Sequence, residues 1–184
     1  MASIAIVGDG PAGLSAALFL AKNGHAATVY GQDDTAMHYA LLRNYLGVDE
    51  EPGSSFQARA RDQVARHGAS FHDERVTRVR PDGDGFEVAT DGSHGARADY
   101  VILATAKKGV ELANQIGIGT DRDGVDVDSE YRSQVDRVYV VGRLARPNRS
   151  QAIISAGAGA VAALDIMARV AGKDVMDWDT FDDV

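Results

Sequence analysis

Short apolar runs and polar, glycine-containing stretches alternate along most of the chain. Residues 3–7, Ser-Ile-Ala-Ile-Val, form a nearly continuous apolar run that ends at Gly8, a pattern typical of a strand buried on both faces of a parallel sheet. An Ala- and Leu-rich helical segment follows at 14–23 and closes at Gly24. With a second strand at 26–30, these segments make one strand–helix–strand unit.

The same pattern continues towards the end of the chain. We predict three more strands, at 69–72, 99–104 and 137–141, of which 99–104 is expected to be buried, and two more helices, at 54–67 and 151–171. Ser54 and Gln57 have the spacing of a capping box, which predicts the start of the first of these helices. The expected fold class is therefore α/β, a Rossmann-like domain with three layers around a parallel sheet.

Two segments interrupt the pattern. Residues 75–80 and 86–90 alternate apolar and polar side chains around the turn Pro81–Gly85, which predicts a small antiparallel excursion from the main sheet. The irregular loop before them is expected to hold one helical turn around Tyr39–Leu42. The polar stretch before the last strand contains 124–127, which we predict as a short strand.

We expect a single domain over residues 1–172 and an acidic tail over 173–184. The tail carries five aspartates among Met176, Trp178 and Phe181. We expect the tail to be a solvated extension. The alternative is that Trp178 and Phe181 anchor it to the body of the protein or to a partner.

The charge balance restricts the partners. Asp and Glu number 27 against 19 Lys and Arg, for a net charge of −8, so nucleic acid and anionic lipid are unfavourable partners. No segment is expected to reach the roughly 18 apolar residues that span a membrane, and a strand that begins at Ser3 argues against a signal peptide. These features predict a cytoplasmic protein. The excess of Asp and shortage of Lys favour a halophilic source, with an acidic, high-GC mesophile as the alternative.

The side chains also limit the chemistry. The chain contains no cysteine, which excludes disulfides, thiolate metal sites and a redox dithiol among its residues. Its five histidines show no metal-ligand spacing, and we expect no metal site.

The turn after the first strand is the strongest motif. Its residues are Gly8, Asp9, Gly10, Pro11, Ala12 and Gly13. In such a turn the first glycine allows the tight bend, the second lets a pyrophosphate approach the backbone and the third lets helix and strand pack closely. The phosphates then meet the N–H groups and positive end of the helix. The alternative is an ordinary strand–helix turn without a ligand.

The end of the second strand departs from the usual dinucleotide site. An acidic residue normally stands there and binds a ribose hydroxyl, but this strand is followed by Gly31 and Gln32. Gln32 or Asp33 is a substitute. The missing carboxylate argues against a conventional NAD site and is compatible with a flavin site that reads its adenosine through backbone groups.

Four motifs in order resemble the thioredoxin-reductase-like family of flavoproteins with two dinucleotide domains. They are Gly8–Gly13 (GDGPAG), Val101–Thr105 (VILAT), Val138–Gly142 (VYVVG) and Gln151–Gly157 (QAIISAG) followed by Ala162–Asp165 (AALD). The resemblance implies a bound FAD. It also implies that a whole NADPH domain, with its Cys-x-x-Cys and second Gly-x-Gly-x-x-Gly/Ala turn, is missing between Thr105 and Gly117, so that the chain corresponds to the FAD domain alone.

The resemblance implies a set of FAD contacts. The glycine turn would hold the pyrophosphate, Gly31 and Gln32 the adenosine ribose, and Val76 would lie against the adenine. Near the flavin the matching positions are Asn44, Ala104, Thr105, Ala106, Gly142, Arg143, Gln151 and Ala152.

Arg143 is the most serious departure. The family's Asp at this position accepts a hydrogen bond from the ribityl chain, whereas Arg can only donate. Arg143 beside a pyrophosphate would gain a charge-assisted bond instead; the alternative is a solvent-facing side chain and a decayed site. Arg143, Arg146 and Arg149 form a basic cluster on one loop, which indicates either anion or cofactor-phosphate binding or a solvated loop.

Two classes of function remain open. The first is a single-domain flavoprotein, an oxidoreductase or electron carrier without dithiol chemistry, supplied with electrons by free NAD(P)H, a small reductant or a redox partner protein. The second is a non-catalytic module that binds FAD, NAD(P) or ADP-ribose, or a decayed flavin domain. Because family members commonly dimerise through the FAD domain, the resemblance also implies a homodimer.

Overall fold

The computed structural model describes residues 1–181. Four α-helices are present in this range: α1 Pro11–Lys22, α2 Gly53–Arg66, α3 Gly109–Gln115 and α4 Ala152–Ala171. The strands are β1 Ser3–Val7, β2 Ala26–Tyr30, β3 Leu41–Leu42, β4 Glu51–Pro52, β5 Ser70–His72, β6 Val76–Asp82, β7 Gly85–Thr90, β8 Ala96–Ala98, β9 Tyr100–Leu103 and β10 Val138–Val140.

Five strands form the central sheet, in the order β10-β9-β1-β2-β5, and every pairing in it is parallel. The apolar run at 3–7 becomes the middle strand because both of its faces are covered. Ile4 and Ile6 pack on one side with α1 and α4, and Ala5 and Val7 pack on the other side with the antiparallel strands. The two buried faces confirm the predicted three-layer α/β fold.

The antiparallel strands β6, β7 and β8 form the third layer. Val79, Phe86 and Val88 pack with Ala5 and Val7 in the core on this side of the sheet, which we call the second core. The excursion is confirmed, but the turn Pro81–Gly85 was predicted too wide: the strands pair up to Asp82 and Gly85.

Several local predictions are wrong. The helical turn expected at Tyr39–Leu42 is a 3-10 turn at Ala36–Tyr39, followed by β3. Ser54 does not cap α2, whose N-cap residue is Pro52 without a side-chain hydrogen bond. The predicted strand at 124–127 is a single bridge between Asp121 and Gly124.

Trp178 and Phe181 are 85% and 99% exposed, so the alternative in which they anchor the tail to the body is wrong. Within the described residues the tail is instead held through Asp177 and Asp179, which accept hydrogen bonds from Lys22 at 2.8 and 2.5 Å. Contact of the aromatic residues with a partner stays a prediction.

Helix α4 is more apolar than its sequence pattern suggested. Its 20 residues have a mean hydropathy of 1.6, so by length and composition it is long enough to cross a membrane, and the expectation that no segment reaches this limit is wrong. The helix nevertheless has a buried face that includes Ala158, Ala162 and Ile166. These residues pack with α1 and the sheet, as in the core helix of a globular domain.

Candidate functional site

The carboxyl ends of the parallel strands meet at one edge of the sheet, and backbone hydrogen bonds tie together the loops that leave it. Gly8 N donates to Tyr30 O at 2.8 Å, Ala104 N to Val7 O at 2.8 Å, and Leu144 N to Thr105 O at 3.1 Å. The turn after β1, the turn after β2 and the loops after β9 and β10 therefore lie side by side. Ligands of open α/β sheets bind at this edge.

The turn after β1 leaves the start of α1 open. Gly8 has a φ of +109° and Pro11 is the first helical residue, so the chain bends sharply and enters the helix at once. Gly10, the N-cap residue, has no side chain, and none of the described side chains caps α1 by a hydrogen bond. The first N–H groups of α1 are therefore available to an anion.

Asp9 lies in this turn but directs its carboxylate away from the helix. Oδ2 accepts the N–H of Asp33 at 2.9 Å and forms an ion pair with Arg61 of α2. A Cβ placed on Gly31 would be 2.3 Å from Cγ of Asp9. The carboxylate thus occupies the space beyond β2 in which a side chain at position 31 would stand.

Burial raises the pKa of Asp9 above its ordinary value, while the Asp33 N–H and the Arg61 charge act in the opposite direction. Asp9 is only 4% exposed. The side chain of Asp9 therefore points towards the end of β2, and only its backbone lines the turn after β1.

Two residues of α2 that the sequence motifs did not assign to the site hold this turn in place. Gln57 is fully buried, and its Nε2 donates to Asp9 O at 2.7 Å and to Asp33 Oδ1 at 3.1 Å. Arg61 lies one helical turn later and also packs over the Phe71 ring at 4.9 Å. Gln57 and Arg61 are four residues apart, and the buried Val64 follows Arg61 by three residues. This helical spacing places all three on the inner face of α2 and is the signal in the sequence that could have found them.

Two predicted flavin-side residues meet across the chain. Asn44, in the loop between β3 and β4, donates from Nδ2 to Oε1 of Gln151 at 2.9 Å. Gln151 is the N-cap residue of α4, and it makes no cap hydrogen bond through its own side chain. The starts of α1 and α4 are therefore both uncapped, and they face the same edge of the sheet.

The other predicted residues lie at this edge with different exposure. Ala104, Thr105 and Ala106 are half-buried, and Thr105 Oγ1 is a buried oxygen without a hydrogen-bond partner among the described residues. Gly142 is buried and Arg143 is exposed, with its Nε 3.2 Å from Ser150 Oγ. Val76 is 6% exposed and belongs to the second core. Gln32 is exposed.

A second Gly-x-Gly-x-x-Ala sequence occurs at Gly157–Ala162, although none was expected. It lies inside α4 and is not a strand–helix turn. A Cβ on Gly159 would be 2.0 Å from Ala12 O. This sequence therefore serves the close packing of α4 on α1.

Comparison with known proteins places the chain in a family. Residues 43–160, well over half of the chain, match the family model described as pyridine nucleotide-disulphide oxidoreductase. The chain belongs to this family. The matched range begins after the glycine turn, so the turn is an observation independent of the match.

Individual relatives agree with the family match. A thioredoxin reductase of Claviceps purpurea is 30% identical over 115 residues, which cover 58% of this chain and 35% of that protein. One of the subunits of an alkyl hydroperoxide reductase, from Pseudomonas aeruginosa, is 25% identical over 186 aligned positions, covering 96% of this chain and 33% of that protein. The chain thus spans about a third of the length of these relatives.

The solved structures show that the fold is shared. The atypical thioredoxin reductase TRi from Desulfovibrio vulgaris Hildenborough superposes with a TM-score of 0.84 at 17% identity, over 94% of this chain and 99% of that chain. A thioredoxin reductase from Gloeobacter violaceus gives 0.83 at 16% identity, over 97% and 98%. The predicted resemblance to the thioredoxin-reductase family is confirmed.

The residues present fit a dinucleotide with a pyrophosphate. Gly10 leaves a cradle at the start of α1 because it has no side chain. A Cβ at this position would enter that space and lie 3.4 Å from Thr35 Oγ1. Gly13 allows the turn to pack on itself, since a Cβ there would be 1.9 Å from Gly8 O. The turn therefore has the backbone approach that a pyrophosphate needs.

Proposed function

We propose that the chain is an FAD-binding domain of an oxidoreductase or electron carrier. The observation that carries this proposal is the open start of α1 in the Gly8–Gly13 turn, next to the uncapped start of α4. Two helix N-termini at one sheet edge offer N–H donors and positive dipole ends to an anionic cofactor. Family membership supports FAD as the dinucleotide.

In this proposal the chain's own residues divide into three groups, which hold the pyrophosphate, the adenosine and the flavin. Gly8, Gly10, Pro11, Ala12 and Gly13 hold the pyrophosphate through the backbone. Gly31 and Gln32 hold the adenosine ribose, and the Asp9 carboxylate beside Gly31 replaces the acceptor that the end of β2 lacks. Val76 supports the adenine from the core.

At the flavin end, Asn44 orients Gln151 through their hydrogen bond, and Gln151 and Ala152 place the start of α4 beside the isoalloxazine. Ala104, Thr105, Ala106 and Gly142 line the approach, and Arg143 donates to the phosphates or the ribityl chain. Bound FAD supplies one- or two-electron transfer. Because the chain has no cysteine, its residues contribute no dithiol, and we propose that free NAD(P)H or a redox partner protein supplies the electrons.

The second candidate is a non-catalytic module that binds FAD, NAD(P) or ADP-ribose. It is favoured by Arg143, which is exposed and bonded to Ser150, at the position of the family's ribityl acceptor. In this case the adenosine end binds and the flavin end has decayed. An Arg143→Asp variant distinguishes the two, since regained FAD affinity without a change in ADP-ribose affinity indicates a decayed flavin end.

The test is the visible spectrum of the purified protein, before and after incubation with FAD and removal of free cofactor. We expect a flavin spectrum at one FAD per chain. Anaerobic addition of NADH or NADPH then tests the oxidoreductase. Bleaching supports it, bound FAD without bleaching favours a partner-dependent carrier, and a protein that stays colourless after incubation contradicts the flavin proposal.

A further inference from the structure

Most arginines of this acidic chain are paired with carboxylates. Of the 15 arginines in the sequence, 11 have a carboxylate oxygen within 4.0 Å. Within residues 1–181 the exceptions are Arg66 on α2 and three arginines that share the loop between β10 and α4. We call these three, Arg143, Arg146 and Arg149, the arginine loop.

The fold of the loop keeps its guanidinium groups separate from the carboxylates. Arg146 N donates to Gly142 O at 3.0 Å, and Arg149 N donates to Arg146 O at 3.1 Å, so the loop is a compact double turn. Its three arginines are exposed. Arg143 bonds to the Ser150 hydroxyl and Arg146 lies over the Tyr131 ring, 5.8 Å from its centre.

An open cleft of about 500 Å³ lies between the arginine loop and the segment 121–127. Arg146, Pro147, Asn148 and Arg149 form one wall. Backbone contacts fix the base of the cleft: Val125 N donates to Leu144 O at 3.1 Å, and a Cβ on Gly124 would be 2.4 Å from Ala145 O. The volume lies within the range of small-molecule sites.

The two walls carry opposite charges that do not pair with each other. Asp121, Asp123 and Asp126 line the side opposite the arginines, yet none of them lies within 4.0 Å of an Arg146 or Arg149 nitrogen in the part of the chain that is described. A guanidinium pair binds phosphate oxygens by charge-assisted, bidentate hydrogen bonds. Carboxylates accept hydrogen bonds from ribose hydroxyls, as they do in dinucleotide sites.

We propose that this cleft binds a nucleotide diphosphate, with Arg146 and Arg149 on the phosphates and the opposite aspartates on the ribose hydroxyls. The cleft is separate from the phosphate turn after β1 and would act in addition to the FAD site. It shares the loop that begins at Gly142 and Arg143, so the two sites are neighbours. Its use for the ADP half of a nicotinamide dinucleotide electron donor rests on the proposed function; the binding itself does not.

The experiment is calorimetric titration with ADP in the presence of saturating FAD, which blocks the first site. The test variant is Arg146→Gln/Arg149→Gln. The matched control is Arg66→Gln/Arg75→Gln, which removes the same charge from α2 and from the segment before β6. All these side chains are exposed, so the melting temperatures of both variants should stay close to that of the original protein.

We expect saturable ADP binding at one site, weakened at least tenfold in the test variant and less than twofold in the control. NADPH should compete with ADP, and inorganic pyrophosphate should bind more weakly than ADP because it lacks the ribose. Absence of ADP binding in saturating FAD, equal losses in both variants, or binding of only an acidic polypeptide such as polyglutamate overturns the proposal. A protein that takes up no FAD but binds ADP through the arginine loop contradicts the proposed function and leaves this site standing.

Discussion

The missing side chain at Gly31 is explained by the position of Asp9. In the sequence, the absence of a carboxylate at the end of β2 indicates a defective ribose site. In the structure the carboxylate of Asp9 fills the space beside Gly31, tied to Arg61 and the Asp33 N–H. A side chain at position 31 and the observed position of Asp9 exclude each other.

The exclusion can be measured with Gly31→Ala. The new methyl group would lie 2.3 Å from Asp9 Cγ and must displace the carboxylate from Arg61. Overpacking of this kind costs about 1–3 kcal/mol, so we expect urea unfolding at a lower midpoint. Gly119→Ala is the control, because a Cβ there meets nothing within 4 Å. Equal midpoints for the two variants would show that Asp9 does not depend on Gly31.

Some residues of the candidate site could be predicted from the sequence and others could not. The glycine turn, Gly31 and the pair Asn44 and Gln151 could be chosen from motifs, because their spacing or resemblance is local to the chain. Gln57 was assigned to a capping box, since Ser-x-x-Gln is indistinguishable in sequence from a buried amide on an inner helix face. The contact of Gln57 with Asp9 spans 48 residues, and only the fold reveals it.

At the scale of elements, α1 and α4 form the support of the site. Gly159 allows the two helices to pack closely, since a Cβ on residue 159 would be only 2.0 Å from Ala12 O. Gly157 on the same helix faces open space. Since α1 begins at the phosphate turn, their spacing also determines where the turn lies.

The pair of glycines gives opposite predictions within one helix. Gly159→Ala should lower the free energy of unfolding by about 1–3 kcal/mol through overpacking, and should weaken FAD binding because α1 shifts. Gly157→Ala should raise it by roughly 0.5–1 kcal/mol, since Gly is a poorer helix former than Ala. Denaturant unfolding measures both. Stabilisation by both substitutions would refute the close packing.

Glu74 links two segments of the antiparallel layer through hydrogen bonds. Its carboxylate accepts hydrogen bonds from Thr90 Oγ1 at 2.6 Å and from the backbone N–H groups of Ser93 and His94 at 3.2 and 3.1 Å. These bonds, with the His94 ring, lower the pKa of Glu74 to about 2 from an ordinary 4.5. Glu74 thus ties the start of β6 to the turn after β7.

The lowered pKa gives a stability that depends on pH. A carboxyl whose pKa falls on folding stabilises the protein above its unfolded pKa and ceases to do so as the pH falls through the folded value. Glu74→Gln should therefore lower the melting temperature at pH 7, and the difference should shrink between pH 4.5 and 2. Glu111→Gln, at a glutamate of α3 that is exposed, is the control. A difference that does not vary with pH would contradict the role of the ionised carboxylate.

Element types were predictable where periodicity is strong. The strands β1, β2, β9 and β10 and helix α4 are apolar on both faces or nearly so, and their patterns are clear. Helix α3 was missed because its seven residues lie in a polar stretch and bury only Gly109, Leu112 and Ala113. β8 was missed because two of its three residues are exposed.

At the scale of the whole molecule, three layers bury two cores and leave one sheet edge open. Every loop of the candidate site leaves from that edge, and the arginine loop begins there too. The overall architecture follows from the strand–helix alternation, since parallel strands require crossovers. The position of the antiparallel layer over one face of the sheet does not follow from this alternation, because it depends on packing among residues far apart in the chain.

The central claim is that FAD binds at the open start of α1. Calorimetric titration of the apoprotein with FAD tests it directly, with Gly10→Val as the blocking variant and Gly119→Val as its control. A Cβ at Gly10 is 3.4 Å from Thr35 Oγ1, so the variant should fold while its branched side chain fills the cradle. The account predicts one FAD per chain, with binding lost in Gly10→Val and retained in Gly119→Val. No binding by the original protein, or equal binding by both variants, would contradict it.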